Sequence, residues 1–188
     1  MKINTKELLA ELHRIIDDCT EKVIHFKDQS PEMLNCRIED NTWTVLECLE
    51  HLNLYGDFYI PEVERVILSQ KNTSDKTLYS PGIIGNYFAG LMKVSGNKIK
   101  KMPAPKDKNP IHSRLSLTTL ERFLKQQEKW TKLLNMAAHT DLDKARTAIS
   151  LTKLMKLKLG DTFRFSIYHI ERHVIQAEKT LVAAKKQC

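Results

Sequence analysis

Between Asn4 and Lys27 the apolar positions Leu8, Leu9, Leu12, Ile15, Ile16, Val23 and Ile24 recur at intervals of three and four, which lines one face of an α-helix for burial. Ser30-Pro31 closes that segment, because the residue before a proline is pushed out of helical geometry. After the polar stretch Glu39 to Thr42, a second helix is predicted from near Trp43. Thr44-Val45-Leu46-Glu47 matches a capping box there, and Thr42 is an equally good cap. Its apolar positions run from Val45 through Leu49, Leu52, Tyr55, Phe58 and Val63 to Ile67, with Pro61 inside the pattern. A proline there lacks a backbone donor and predicts a kink or a split. A third helix is predicted from the cap-like Leu117-Thr118-Thr119-Leu120-Glu121 to about His139, and a last one from Gly160-Asp161-Thr162 to about Ala184. Ile149 to Leu159, just before the last helix, alternates Leu and Lys. No segment carries strand-and-turn punctuation over any length, so the predicted class is all-α: four long amphipathic helices that bury their stripes as a bundle.

Residues 70–116 interrupt this texture. They hold four of the six glycines and four of the six prolines, with one short apolar piece from Ile83 to Val94. Long connections of this kind inside a compact domain are uncommon and often act as lids or binding loops, so the segment is expected to be a loop-rich insertion between the second and third long helices.

Length and composition narrow the setting. A chain of 188 residues fits a single domain, residues 1–188, and 41% apolar with 28% charged residues is enough to build a real core. The N-terminus Met1-Lys2-Ile3-Asn4 has no hydrophobic signal region and apolar runs are short, so no membrane association and a cytoplasmic location are expected. Cys19, Cys36, Cys48 and Cys188 are widely spaced and form no CxxC pattern; four free thiols, two of them in the core, are the expectation. The net charge of +7 favours any phosphate backbone, yet the lysines are scattered, with local clusters at Lys98 to Lys101 and Lys153 to Lys158. No DNA-reading module accompanies them, so a solvated surface is expected and not a specific nucleic-acid partner.

Candidate chemistry lies in the histidines. His169 and His173 are four residues apart in Tyr168-His169-Ile170-Glu171-Arg172-His173. On a helix that spacing puts both rings on one face, roughly 5–6 Å apart at Cβ and close enough to share one metal ion. His51 sits on the core-facing stripe of the second helix and can complete three nitrogen ligands. Three neutral imidazoles suit zinc, nickel, copper or iron and are poor for calcium or magnesium. Three protein ligands leave an open position, where a metal lowers the pKa of water toward ~7 or binds a thiolate directly. Glu47 and Gln176 each lie one turn from a histidine and are candidates for holding the ligands or handling protons, although for Glu47 a capping role competes. His13, His25, His112 and His139 are left outside the site. No Gly-rich phosphate loop, GxSxG elbow or Cys-His nucleophile is present.

Trp43, Glu47 and His51-Leu52 on an early helix, followed by His169-x-x-x-His173-x-x-Gln176 on the last, resemble the DinB-like superfamily of metalloenzymes. The resemblance covers most of the chain in helix order and count, and is vague across residues 71–116. It implies an antiparallel four-helix bundle with a divalent metal, zinc or nickel, held by His51, His169 and His173 at one end. Members of that superfamily include transferases and isomerases that activate a low-molecular-weight thiol at the metal, and others regarded as hydrolases. The expected function is therefore a metal-dependent transferase or hydrolase acting on a small-molecule substrate, with residues 70–116 closing over it. The alternative is a bundle that binds metal or a small ligand without turnover. A homodimer is the expected assembly, since paired copies are the commonest closed form.

Overall fold

The computed structural model describes residues 2–70, 74, 76–94 and 102–188. The chain is mostly helical, with two small antiparallel sheets. In order it forms β1 (Ile3–Asn4), α1 (Thr5–Phe26), the single turn α2 (Pro31–Leu34), α3 (Val45–Leu68), β2 (Leu78–Tyr79), α4 (Ile83–Met92), a 3₁₀ turn at Lys106–Lys108, α5 (Leu117–Ala137), β3 (Arg146–Ile149), β4 (Thr152–Lys158) and α6 (Leu159–Gln187).

Four of these helices are long, and each of α1 and α3 packs against both α5 and α6. The apolar stripes predicted for them meet in one core, where Leu12, Val23, Val45, Leu49, Phe123, Leu134, Phe163 and Val174 are buried. The helix starts follow local polar chemistry. Asn4 accepts from the amide of Glu7 at 3.1 Å and starts α1, and Ser116 accepts from the amide of Thr118 and starts α5. At α3, Thr44 Oγ1 accepts from the Glu47 amide at 3.2 Å while a Glu47 oxygen accepts from the Thr44 amide at 2.9 Å, so Thr44 is the cap and not Thr42. Pro61 does not split α3, which runs continuously from Val45 to Leu68. Its missing donor costs one helical hydrogen bond, and the packing of α3 on two neighbours outweighs that loss.

Two sequence expectations are corrected. Residues 146–158 form an antiparallel hairpin, with Arg146 opposite Lys158 and Thr147 opposite Leu157. Successive side chains of a strand face opposite ways, so Leu157 is buried while Leu154, three residues earlier, lies on the other face in solvent, as in a half-buried strand. The expectation of four free thiols also fails: Cys36 and Cys188 are joined in a disulfide with Cα atoms 6.6 Å apart, while Cys19 and Cys48 are free and buried. A separation of 152 residues carries no local spacing signal, and the pair meets because α2 packs beside α6.

The described part of residues 70–116 is pinned to the helices. β2 pairs with β1, with Ile3 opposite Tyr79. The buried carboxylate of Asp161, in the first turn of α6, accepts from the Tyr79 hydroxyl and from the Gly82 amide. Gly85 lies so close to the Asp161 side chain that a Cβ would collide with it, so α4 needs glycine there to dock on α6. The basic cluster Lys98 to Lys101 lies outside the described residues. Among the described residues, no helix is long and apolar enough to cross a membrane.

Candidate metal centre

α6 carries His169 and His173 one turn apart on its inner face, with ring centroids 4.6 Å from each other. α3 packs on α6 and delivers His51, whose centroid lies 5.0 Å from that of His169 and 4.6 Å from that of His173. The ligand-capable nitrogens of the three rings all lie within 4.8 Å of one another, and Nε2 of His51 is 3.1 Å from Nε2 of His169. Imidazole nitrogens bind zinc at roughly 2.0–2.1 Å, so nitrogens this near one another would reach a single shared ion once the rings draw in around it. The three residues are 3, 5 and 9% exposed.

Burial sets their protonation. Desolvation disfavours the imidazolium and pushes His51 down to about 4, and it holds His169 and His173 well below the ordinary histidine value, where repulsion from the neighbouring histidines adds to the effect for those two. All three are neutral at pH 7, so each keeps a nitrogen lone pair.

Neighbouring acceptors decide which nitrogen that is. His51 Nδ1 lies 2.6 Å from the carbonyl oxygen of Lys108, and a carbonyl only accepts, so Nδ1 carries the proton and Nε2 is bare. His173 Nδ1 lies 3.0 Å from Oε1 of Gln176, the residue one turn further along α6, and the same reasoning leaves its Nε2 bare. Two lone pairs are thus held toward the cluster centre by groups behind the rings, as metal-ligating histidines require.

Aromatic side chains wall the cluster. Trp43 sits 4.6 Å from His51 and 5.6 Å from His173, and its Nε1 donates to Asn109 at 3.0 Å. Tyr55 meets His169 edge-on and lies tilted against His51, and Phe165 stacks on His169 at 5.7 Å. Burial pushes the Tyr55 hydroxyl up to about 12, so it stays protonated at neutral pH. The segment 106–109 therefore touches the site twice, through the Lys108 carbonyl and the Asn109 side chain.

The structure brings His51, His169, His173 and Gln176 together. Glu47, 1% exposed, is committed elsewhere: it closes the α3 capping box, pairs with Arg37 at 2.7 Å, and accepts from the His112 amide at 2.6 Å. His112 contributes that amide and not its ring, from a backbone with φ of 62°. Sequence reasoning missed Lys108 and Asn109, since a backbone carbonyl has no side-chain signature. Phe165 was findable, because it precedes His169 by one turn of the same helix.

Comparison with known proteins agrees with the resemblance carried by these residues. The family model described as the DinB superfamily matches residues 6–177, which is most of the chain and includes all three histidines, so the chain belongs to that superfamily. No curated protein and no solved structure matches it.

Proposed function

We propose, with membership of the DinB superfamily as the premise, that His51, His169 and His173 hold one divalent transition metal at the end of an antiparallel four-helix bundle, and that the protein is a metal-dependent transferase or hydrolase. The observation that carries this reading is the fixing of two Nδ1 protons by Lys108 and Gln176, which aims two bare Nε2 atoms at a third histidine in a buried cluster. Three imidazoles and no carboxylate in the cluster fit zinc or nickel. When bound, such a metal supplies a Lewis acid whose open position acidifies a water or a low-molecular-weight thiol.

The chain's own residues do the rest. Lys108 and Gln176 keep the rings in register, burial keeps them unprotonated, and Trp43, Tyr55 and Phe165 exclude bulk water, which strengthens every charge interaction in the site. Segment 106–109 forms one wall, as an insertion closing over a small-molecule substrate would.

The commitments of Glu47 favour a second reading, a bundle that binds metal without turnover, because this buried carboxylate, one turn before His51 on α3, has its oxygens engaged by Arg37, Thr44 and the His112 amide. Thermal shift of the zinc- and nickel-loaded protein with a panel of low-molecular-weight thiols separates the two. A catalytic open position predicts stabilisation that rises with thiol concentration and disappears in His169→Ala, whereas a closed site predicts no response to any thiol.

A further inference from the structure

His51 and His173 each have an acceptor behind the ring, and the third histidine needs one as well. His169 turns Nε2 toward Nε2 of His51, so when it ligates a metal through that atom its proton sits on Nδ1. His169 also lines a small cavity of about 10 Å³ between α3, α5 and α6, together with Gln126, Gln127, Ser166, Leu52, Trp130 and Ile170. Two polar atoms of that lining, Gln127 Oε1 and Ser166 Oγ, are buried and have no hydrogen-bond partner among the described residues. The orientation of the Gln127 amide is not arbitrary: its Nε2 donates to the Phe123 carbonyl at 3.2 Å, which leaves Oε1 as the inward acceptor. Gln127 and Ser166 are 2 and 6% exposed, so bulk solvent does not satisfy them.

We infer that Ser166 and Gln127 are positioning residues that hold one buried water behind His169, completing for the third ligand what the Lys108 carbonyl and Gln176 do for the other two. The cavity has room for a single water, and such waters make two to four hydrogen bonds to otherwise unpaired buried groups. The water oxygen accepts from His169 Nδ1–H, and its two hydrogens go to Gln127 Oε1 and Ser166 Oγ. Leu52, Trp130 and Ile170 supply apolar walls, and of the other polar side chains in the lining Gln126 is already engaged with the Asn53 carbonyl and Asp57, and Tyr59 with Ser150. This inference rests on the metal reading above.

The test compares zinc affinity, by competition with a chromophoric chelator, in the wild-type chain, Ser166→Ala, Gln127→Met, the double variant and Gln127→Glu, and follows the ring protons of the zinc-loaded proteins by nitrogen-edited NMR. Loss of a group behind a metal ligand weakens affinity about 10–100-fold, and that is expected for each of Ser166→Ala and Gln127→Met. The double variant is expected to be no weaker than the worse single one, since both act through the same water, and Gln127→Glu keeps the affinity because it keeps an acceptor. The slowly exchanging Nδ1 proton of His169 is expected in the wild type and lost to exchange in the two weakened variants, with those of His51 and His173 unchanged. Unchanged affinity overturns the inference, and so does weakened affinity with the His169 proton still protected, because the effect then came through packing. A wild-type chain that binds no zinc, nickel or cobalt overturns the metal reading itself, a different outcome from wild-type binding with indifferent variants.

Discussion

Among single residues, Gln176 is the cleanest handle on the site, because its amide oxygen fixes the tautomer of His173 while its backbone belongs to an ordinary helical turn. Gln176→Leu is expected to weaken metal affinity about 10–100-fold with little change in the metal-free melting temperature, and Gln176→Glu to retain the affinity. Chelator competition and thermal melts check both. The histidines themselves predict a pH dependence of the metal-free protein. Their folded values lie below the ordinary 6.5, with His51 at about 4, so below pH 6.5 the unfolded chain binds more protons than the folded one. The stability this contributes is fully present above 6.5 and is lost as pH falls from 6.5 toward 4. Urea midpoints measured at intervals from pH 7.5 to 4 in the presence of a chelator are expected to fall in that window; His51→Phe is expected to flatten the slope. At this scale the sequence was informative for the clustered histidines, since the i, i+4 spacing of His169 and His173 and the inward stripe of His51 are periodic facts. It was silent on the Lys108 carbonyl, because which backbone atom faces a ring depends on how residues 102–116 fold back, and no residue type encodes that.

Among elements, the N-terminus of α3 is where local chemistry and the site meet. Glu47 caps the helix that carries His51 one turn later and also ties down Arg37 and the loop at His112. Removing it breaks a cap worth about 1 kcal/mol and leaves a partly buried Arg37 without its carboxylate, so Glu47→Ala is expected to cost about 2–4 kcal/mol in denaturant unfolding. Glu47→Gln is expected to recover part of that, since an amide oxygen still accepts from Thr44. The four long helices were legible because their apolar stripes persist over five or more turns, long enough for period to outweigh local propensity. The hairpin at 146–158 was harder to read, as the seven residues Thr-Lys-Leu-Met-Lys-Leu-Lys of β4 sit directly against a helix start, keep no strict period of two, and place helix-forming residues in a strand. There the pairing of β3 with β4 and the burial of Thr147, Ile149 and Leu157 override propensity.

Across the whole molecule, distant parts of the sequence are held together at two places that no local pattern announced. Cys36–Cys188 links α2 to the end of α6 across 152 residues, and Asp161 anchors β2 and α4 to the start of the same helix. Closing a long loop removes conformations from the unfolded chain, so Cys36→Ser, or reduction of the wild type, is expected to lower stability by about 2–4 kcal/mol, read as a shift in urea midpoint. The helices, the pinned segment and the disulfide together set α3 against α6, and only that packing turns three separated histidines into one buried, neutral, convergent donor set. Whether that set holds a metal is the claim on which everything else depends, and elemental analysis of untagged protein, paired with melting in the presence of added zinc or nickel, tests it directly. One equivalent of a divalent transition metal per chain, or a rise in melting temperature that saturates at one equivalent and is absent in His51→Ala, is the predicted result; no bound metal together with melting indifferent to both ions would contradict it.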